Sequence, residues 1–349
     1  MKNKWILILC FCCTGLFSCN EWLDVKPRTE VELNDMYRSQ QGFQDALIGA
    51  YLHMKSGSAY GGSLMYGNIE YLAQHWDAKT TVAEEMSRYN YKDKDVEKVF
   101  KDIYSQLYTI IADVNAILEN IDEKQGVFEK GMYNIVKGEA LAIRAYCHFD
   151  VLRLFGPMPT RVHGSRILPY VKSVTIAYHD QYTYDKYVSL LEADLLQADS
   201  LLKVADPVIA EYADPEVSVA AQAFLVARQM RLNYYAVKAL EARFYLWMGG
   251  AENRRKAYAC AKEVKEARNA KGNLLYALGN TRSISNEDFS FSSEHVAAIY
   301  DYELYTTANT VFKENASYAK AQKIVVPDLY AAGTTDIRYT GLWTERTAT

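Results

Sequence analysis

The sequence has no block of Lys or Arg, and its net charge is −4 over 349 residues. Both facts argue against a nucleic-acid partner, which needs a concentrated basic surface. Cysteine is sparse. Cys10, Cys12, Cys13 and Cys19 lie at the extreme N-terminus, and Cys147 and Cys260 stand far apart within helical patterns. No CxxC pair or Cys/His spacing suggests zinc, so the two internal thiols read as small buried hydrophobes. The six His form no ligand-spaced pair. HExxH, GxSxG, the P-loop and GxGxxG are all missing, which removes the common signatures of metalloprotease, esterase, nucleotide and dinucleotide chemistry. No metal and no cofactor is expected.

Tyrosine is in excess, with 28 against 12 Phe and 5 Trp. A tyrosine ring offers a flat apolar face and a hydroxyl, which suits surfaces that are both sticky and wet. Half the chain is hydrophobic and 23% is charged, an ordinary globular balance in a chain long enough for a large core.

The N-terminus has the layout of an export signal. Lys2 and Lys4 precede a mostly apolar run, Trp5–Phe17, too short to cross a membrane as a helix. Leu16-Phe17-Ser18-Cys19 resembles a bacterial lipobox, which implies cleavage before Cys19 and lipidation of that residue. An ordinary secretory signal is the alternative.

Helical spacing marks Gly42–Lys55, Leu64–His75, Asp95–Ile121, Tyr184–Val204, Val217–Met248 and Asn253–Arg268. Ser56–Ser63, SGSAYGGS, reads as a flexible loop, and Pro207–Glu216 as a linker. Gly249-Gly250 joins two of these helices into a hairpin. After Gly272, Leu274–Asn280, Val296–Tyr305 and Lys323–Val326 read as short β-like or mixed runs.

The segment Gly138–Pro159, GEALAIRAYCHFDVLRLFGPMP, has no Pro or Gly between Glu139 and Phe155 and is rich in Ala and Leu. It is therefore a helix, stopped by Gly156-Pro157. On a 100° wheel, Glu139, Tyr146, Asp150 and Arg153 form a stripe that can face water. Arg144 and His148 fall instead on the apolar side, one turn apart, and buried polar groups need partners. They read as structural polar pins or as part of a ligand site; the missing nucleophile favours pins. At an offset of 99 positions, Ala140-Leu141, Arg144 and Tyr146 align with Ala239-Leu240, Arg243 and Tyr245, so Arg243 reads as a third pin.

This helix resembles the signature helix of the SusD/RagB family of Bacteroidetes outer-membrane lipoproteins. The acidic start after Cys19, Asn20-Glu21, resembles the surface-export tag of such lipoproteins. The resemblance implies a mostly α fold of tetratricopeptide-like helix pairs with an irregular, partly β C-terminal portion. It divides the chain into a signal peptide (1–18), an N-terminal SusD-like region (19–230) and the start of the C-terminal region (231–349). Asp336–Thr344, DIRYTGLWT, resembles a stretch inside the family domain beyond which members continue, which implies a truncated product, a fragment or a short variant.

The resemblance further implies a non-catalytic protein, lipid-anchored in the outer membrane and facing outwards. Its expected ligand is an oligosaccharide, delivered to a SusC-like TonB-dependent transporter. A protein-binding helical scaffold, a peptide-capturing relative and, more remotely, a glycoside hydrolase are the alternatives. A sugar needs exposed rings for its C–H faces and polar groups for its hydroxyls. Three loop clusters supply them: Tyr60 with Tyr66, Trp76 with Asp77, and Phe289 and Phe291 with Asn286 and Asp288.

Overall fold

The computed structural model describes residues 33–78, 80–162, 164–209, 223–312 and 336–342. The lipobox with Cys19, the run Lys323–Val326 and most of the expected linker lie outside them. Leu33–Met36 is a single helical turn in a small unit that ends at Met36. Everything below concerns the unit that begins at Tyr37.

Helices dominate. Helix α1 (Gln40–Met54) starts at Ser39, whose hydroxyl accepts the Gly42 N–H. Two short helices follow, α2 (Asn68–Leu72) and α3 (Thr81–Ser87). The 28-residue helix α4 (Lys94–Ile121) is capped by Asp93, which accepts from the N–H groups of Asp95 and Val96. Helix α5 (Met132–Phe155) is the centre of the molecule. A two-stranded antiparallel ribbon, β1 (Arg166–Pro169) and β2 (Gln181–Thr183), leads into α6 (Tyr184–Lys203). Then come α7 (Tyr234–Met248), α8 (Gly250–Glu266), α9 (Thr281–Ser285), α10 (Leu304–Phe312) and α11 (Ile337–Leu342).

Contacts fix the arrangement. Arg144 of α5 meets Asp194 of α6, and Gly138 of α5 lies against Leu202, so α5 and α6 run antiparallel. Tyr234 bonds Glu263 and Glu241 accepts from Cys260, so α7 and α8 form a second antiparallel hairpin. Phe149 packs on both Phe244 and Trp247 while Leu141 clusters with Tyr234, Tyr235 and Val237, so α7 lies parallel to α5. The result is two stacked helix pairs of tetratricopeptide type. Helix α4 covers the other side of α5 through Tyr104–Phe155, Tyr108–His148 and Asn115–Arg144.

Close packing explains why Gly stands at 138. A Cβ there lies 2.7 Å from Leu202 Cγ, so a side chain would push the two helices apart.

The sequence patterns placed most helices but misjudged several stretches. The signature helix begins six residues earlier than its Ala/Leu-rich part, at Met132. Its supposed water-facing stripe is wrong at two of four positions: Glu139 is fully buried and Asp150 nearly so. Both are ion-paired, Glu139 with Arg228 and Arg231, Asp150 with Arg153 and Arg243.

Ser56–Ser63 is an ordered series of turns. Ala59, Tyr60 and Gly61 donate to the carbonyls of Ser56, Met54 and Ser56. Gly61 sits so close to the Lys55 carbonyl that any Cβ would collide with it. The glycines permit close backbone approach here; they do not loosen the chain.

Leu64–His75 is helical only over Asn68–Leu72, and α3 has no counterpart among the expected helices. The expected helix over Val217–Met248 is broken before Asn233, which caps α7 by accepting the Ala236 N–H. The described strands lie at β1 and β2. Leu274 makes one isolated bridge to Arg268, and Val296–Tyr305 forms no strand among the described residues.

Candidate functional site

A cavity of about 580 Å³ opens between the end of α1, the turn over residues 60–66, the adjoining faces of α5 and α7, and the segment 295–304. Its walls carry four tyrosines, Tyr51, Tyr60, Tyr66 and Tyr146, and three cations, Lys55, Arg231 and Arg243. Aliphatic side chains, among them Met54, Met65 and Leu240, fill much of the rest.

Each wall is held by polar contacts from residues far apart in sequence. The Tyr51 hydroxyl donates to Glu139 at 2.7 Å and accepts the Leu232 N–H at 2.8 Å. Behind it, Arg228 joins Glu139 to Asp206, bonding both Asp206 oxygens at 2.9 and 2.8 Å. Asp206 also accepts the first N–H of α7, from Tyr234. Burial and the neighbouring Glu139 push the Tyr51 hydroxyl well above its ordinary pKa, so it stays a donor.

Asn233 bonds the Val296 carbonyl at 2.8 Å and Ala298 donates to the Gln229 carbonyl at 2.8 Å, which seats the 295–304 segment over the start of α7. From α1, Lys55 closes on Asp301 at 2.9 Å. That hydrogen bond lowers the Asp301 carboxyl below the usual range, so the lock is between charged groups.

On the opposite wall, the Tyr60 hydroxyl donates to Asp150 Oδ2 at 3.0 Å, and its ring packs on Tyr146 at 4.8 Å. Arg243 bonds Asp150 and lies over the Tyr146 ring. Burial raises the Asp150 carboxyl, with Arg243 and then Tyr60 opposing it. A smaller pocket of about 250 Å³ adjoins this wall, sharing Met65, Tyr146 and Arg243 and adding Glu70, Asp150 and Arg153.

The structure separates the residues singled out in the sequence. Tyr60 and Tyr66 line the cavity. Tyr60 is 6% exposed and offers little more than a ring edge, whereas Tyr66 is half-buried. Trp76 does not line it. Its indole N–H donates to the Tyr66 carbonyl at 2.9 Å, and its ring packs beside Tyr71, Ala83, Met86 and Val96, so it supports the turn that carries Tyr66. Asp77 is exposed beyond it.

The third cluster lines neither cavity. Asn286 ends α9, and Asp288 accepts from Ser290 and Ser292, which lowers its carboxyl. Phe291 is buried against Gly279; Phe289 is exposed.

Arg144 is buried and bidentate to Asp194, with Asn115 accepting a third bond at 3.0 Å. His148 lies between Tyr187 and Val171. The Tyr187 hydroxyl donates to the His148 carbonyl at 2.8 Å and lies 3.0 Å from Nδ1, while Nε2 is 3.2 Å from both the N–H and the carbonyl of Val171. Neither residue reaches the cavity. Arg243 differs from Arg144 despite the sequence repeat: its side chain is 39% exposed and faces the cavity where Arg144 faces a helix.

Sequence reasoning missed Tyr302, 74% exposed, whose ring lies 5.8 Å from Nζ of the wall residue Lys55; Tyr300 and Tyr305, 67% and 80% exposed, are chain neighbours of the wall residues Asp301 and Leu304. Their signal was the run YDYELY, in which three tyrosines crowd six residues without an apolar face to bury them. Among the described residues, no group of three or more His, Cys, Asp or Glu could hold a metal ion, and no helix is long and apolar enough to cross a membrane.

Comparison with known proteins places this architecture. A family model described as "Starch-binding associating with outer membrane", SusD-like, matches residues 21–246. SusD-like protein P25 of Formosa agariphila is 29% identical over 167 residues, which are 46% of this chain and 31% of that protein. A SusD-like carbohydrate binding protein from Bacteroides vulgatus aligns with a TM-score of 0.56 at 14% identity, over 86% of this chain and 60% of that one. A SusD superfamily protein from the same species aligns with a TM-score of 0.51 at 21% identity, over 80% and 53%. The chain thus spans about half the length of these solved structures, and the matched stretch is under a third of P25. At these identities the structural likeness speaks for the fold.

Proposed function

The chain belongs to the SusD-like family, and from that membership and the tyrosine-walled cavity we propose that it captures oligosaccharides without cleaving them. The observation that carries the reading is the cavity itself. Four tyrosines line it, and a fifth, Tyr302, stands exposed with its ring 5.8 Å from the wall residue Lys55. Sugar rings stack their C–H faces on flat aromatic surfaces, and their hydroxyls need donors and acceptors at the edges. The hydroxyls of Tyr51 and Tyr60 are tied inward, so Tyr51 offers a ligand ring surface and Tyr60 a ring edge.

In this reading Cys19 carries the lipid anchor at the outer membrane, and the captured sugar passes to a SusC-like TonB-dependent transporter. A peptide-capturing role has one observation in its favour, the aliphatic floor of Met54, Met65, Leu232 and Leu240.

Calorimetry of the full chain against a panel of oligosaccharides and unstructured peptides, with product analysis, decides among these. Oligosaccharide binding without release of shorter sugars is expected. Tyr302→Ala is expected to weaken it roughly fivefold, the equivalent of about 1 kcal/mol of lost aromatic contact. Its melting temperature should hold, because the ring is exposed. Trp76→Ala should instead lower the melting temperature, since it removes both a packed ring and the bond to Tyr66. Released sugars overturn the non-catalytic reading; binding confined to peptides overturns the glycan.

A further inference from the structure

The smaller pocket has a charge arrangement that a site for neutral sugar does not need. Arg153 of α5 and Arg243 of α7 both donate to one oxygen, Asp150 Oδ1, each at 3.1 Å. The other oxygen, Oδ2, accepts the Tyr60 hydroxyl. Two guanidinium groups therefore share a single carboxylate whose oxygens are already engaged from the protein side. The exposures differ in the same sense: the side chains of Arg153 and Arg243 are 33% and 39% accessible, that of Asp150 only 9%. Asp150 and Glu70 also line the pocket, but the guanidinium groups present more surface to an entering molecule than the Asp150 carboxylate does.

The arginines are also held in place. Both lie over the Phe149 ring, Arg153 at 5.8 Å and Arg243 at 5.4 Å, and Arg153 lies over Trp247 as well. The ring contacts and the shared bond to Asp150 restrict both side chains, which leaves less freedom to lose on binding. The remaining charge on the pocket wall is Glu70, whose carboxylate lies 2.6 Å from His75 Nδ1 and is hydrogen-bonded away from the two arginines.

Resting on the capture reading above, we propose that this pocket selects glycans bearing an anionic substituent, a carboxylate or a sulfate ester, which bridges Arg153 and Arg243. A planar guanidinium recognises paired anionic oxygens with two parallel N–H groups, and a second guanidinium alongside adds a further set of charged donors to the same spot. The tyrosine-lined cavity next to it, joined through Tyr146 and Arg243, takes the rest of the sugar chain. The class of ligand is an acidic oligosaccharide; carboxylate and sulfate share the chemistry, and the experiment separates them.

The test is calorimetry of the full chain with matched pairs that differ only in charge. One pair is an oligogalacturonide and its methyl ester, the other a sulfated oligosaccharide and its desulfated form. At low salt, at least one acidic member is expected to bind about tenfold tighter than its neutral match, the gain of roughly one charge-assisted hydrogen bond. That ratio should shrink as salt is raised and should fall to within about twofold of one in the Arg153→Gln/Arg243→Gln double variant. If the double variant does not fold by circular dichroism, Arg153→Gln alone is expected to cut the ratio at least threefold. Equal binding of acidic and neutral partners, or a ratio that survives the substitutions, overturns the acidic pocket and leaves oligosaccharide capture standing. Failure of every oligosaccharide, charged or neutral, removes both readings together.

Discussion

Arg144 of α5 and Asp194 of α6 meet as a fork on a fork, Nε and Nη2 each 2.7 Å from a different carboxylate oxygen. Tyr170 donates to the same carboxylate at 2.6 Å, and Asn115 takes the third guanidinium bond. Helices α4, α5 and α6 and the residue after β1 thus converge on one buried pair, in which each guanidinium nitrogen and each carboxylate oxygen has a partner.

Removing half of that pair should leave the other half charged and dry. Arg144→Ala and Asp194→Ala are each expected to lower stability by about 3–5 kcal/mol, the range for breaking a buried ion pair from one side. The double variant should lose less than the sum, because neither charge is then stranded. Denaturant melts of the two single variants and the double measure this. Changes within about 0.5 kcal/mol, the scatter of surface substitutions, would contradict the burial of the pair.

His148 gives the protein a pH-dependent stability. Burial, with Arg144 nearby, pushes its pKa down to about 3, against about 6.5 for an ordinary histidine. The folded state therefore holds the ring neutral where the unfolded chain binds a proton. Its contribution is complete above about pH 6.5 and is lost as pH falls towards 3, with a slope of up to about 1.4 kcal/mol per pH unit. Urea melts between pH 7 and pH 4 should show this decline. His148→Gln should be less stable at pH 7 but lose stability more shallowly on acidification; parallel slopes would dismiss His148 as the source.

Gly138 tests the α5–α6 contact. Gly138→Ala places a methyl against Leu202 and is expected to destabilise by about 1–3 kcal/mol, the usual cost of overpacking. Gly126→Ala, with nothing within 4 Å of its added carbon, is the control and should stay within about 0.5 kcal/mol. Thermal melts that rank the two alike would mean that the helices separate freely.

The proposed anchor rests on Leu16–Cys19. Mass spectrometry of the mature N-terminus should find an acylated Cys19. Cys19→Ala should leave the outer-membrane fraction. An unmodified N-terminus on a protein that still fractionates with the membrane would discard the lipid.

Local signals were legible in the sequence, and long-range ones were not. Helix α5 announced itself by composition and by its Gly-Pro stop, and Arg144 stood out because a charge on an apolar face demands a partner. Glu139 and Asp150 carried no such mark. Their angular positions suited solvent, and the partners that bury them, Arg228 and Arg243, lie 89 and 93 residues away. Periodicity within one helix cannot report what another helix brings to it. The same limit applies to the cavity. Tyr60 and Tyr66 stood out as aromatics in a Gly-rich loop, but Tyr146 meets that loop only once it packs on α5, and Arg243 only once α7 stacks on α5. Trp76 was misplaced because an aromatic at a loop edge looks free until its indole N–H is followed to the Tyr66 carbonyl.

The bridge from Glu139 through Arg228 to Asp206 bears on how the molecule comes apart. Stacked helix pairs commonly unravel one repeat at a time, because each touches only its neighbours. Here Glu139 sits in the first hairpin, Asp206 just after it, and the arginine that neutralises both arrives with the segment leading into the second. Peeling away the second hairpin with that segment breaks the ion pairs of Arg228 and Arg231 together and uncovers the apolar contact between α5 and α7, a joint cost that couples the two hairpins. Amide protons of α5 and α7 should therefore exchange together, as one cooperative block, although the architecture around them is modular.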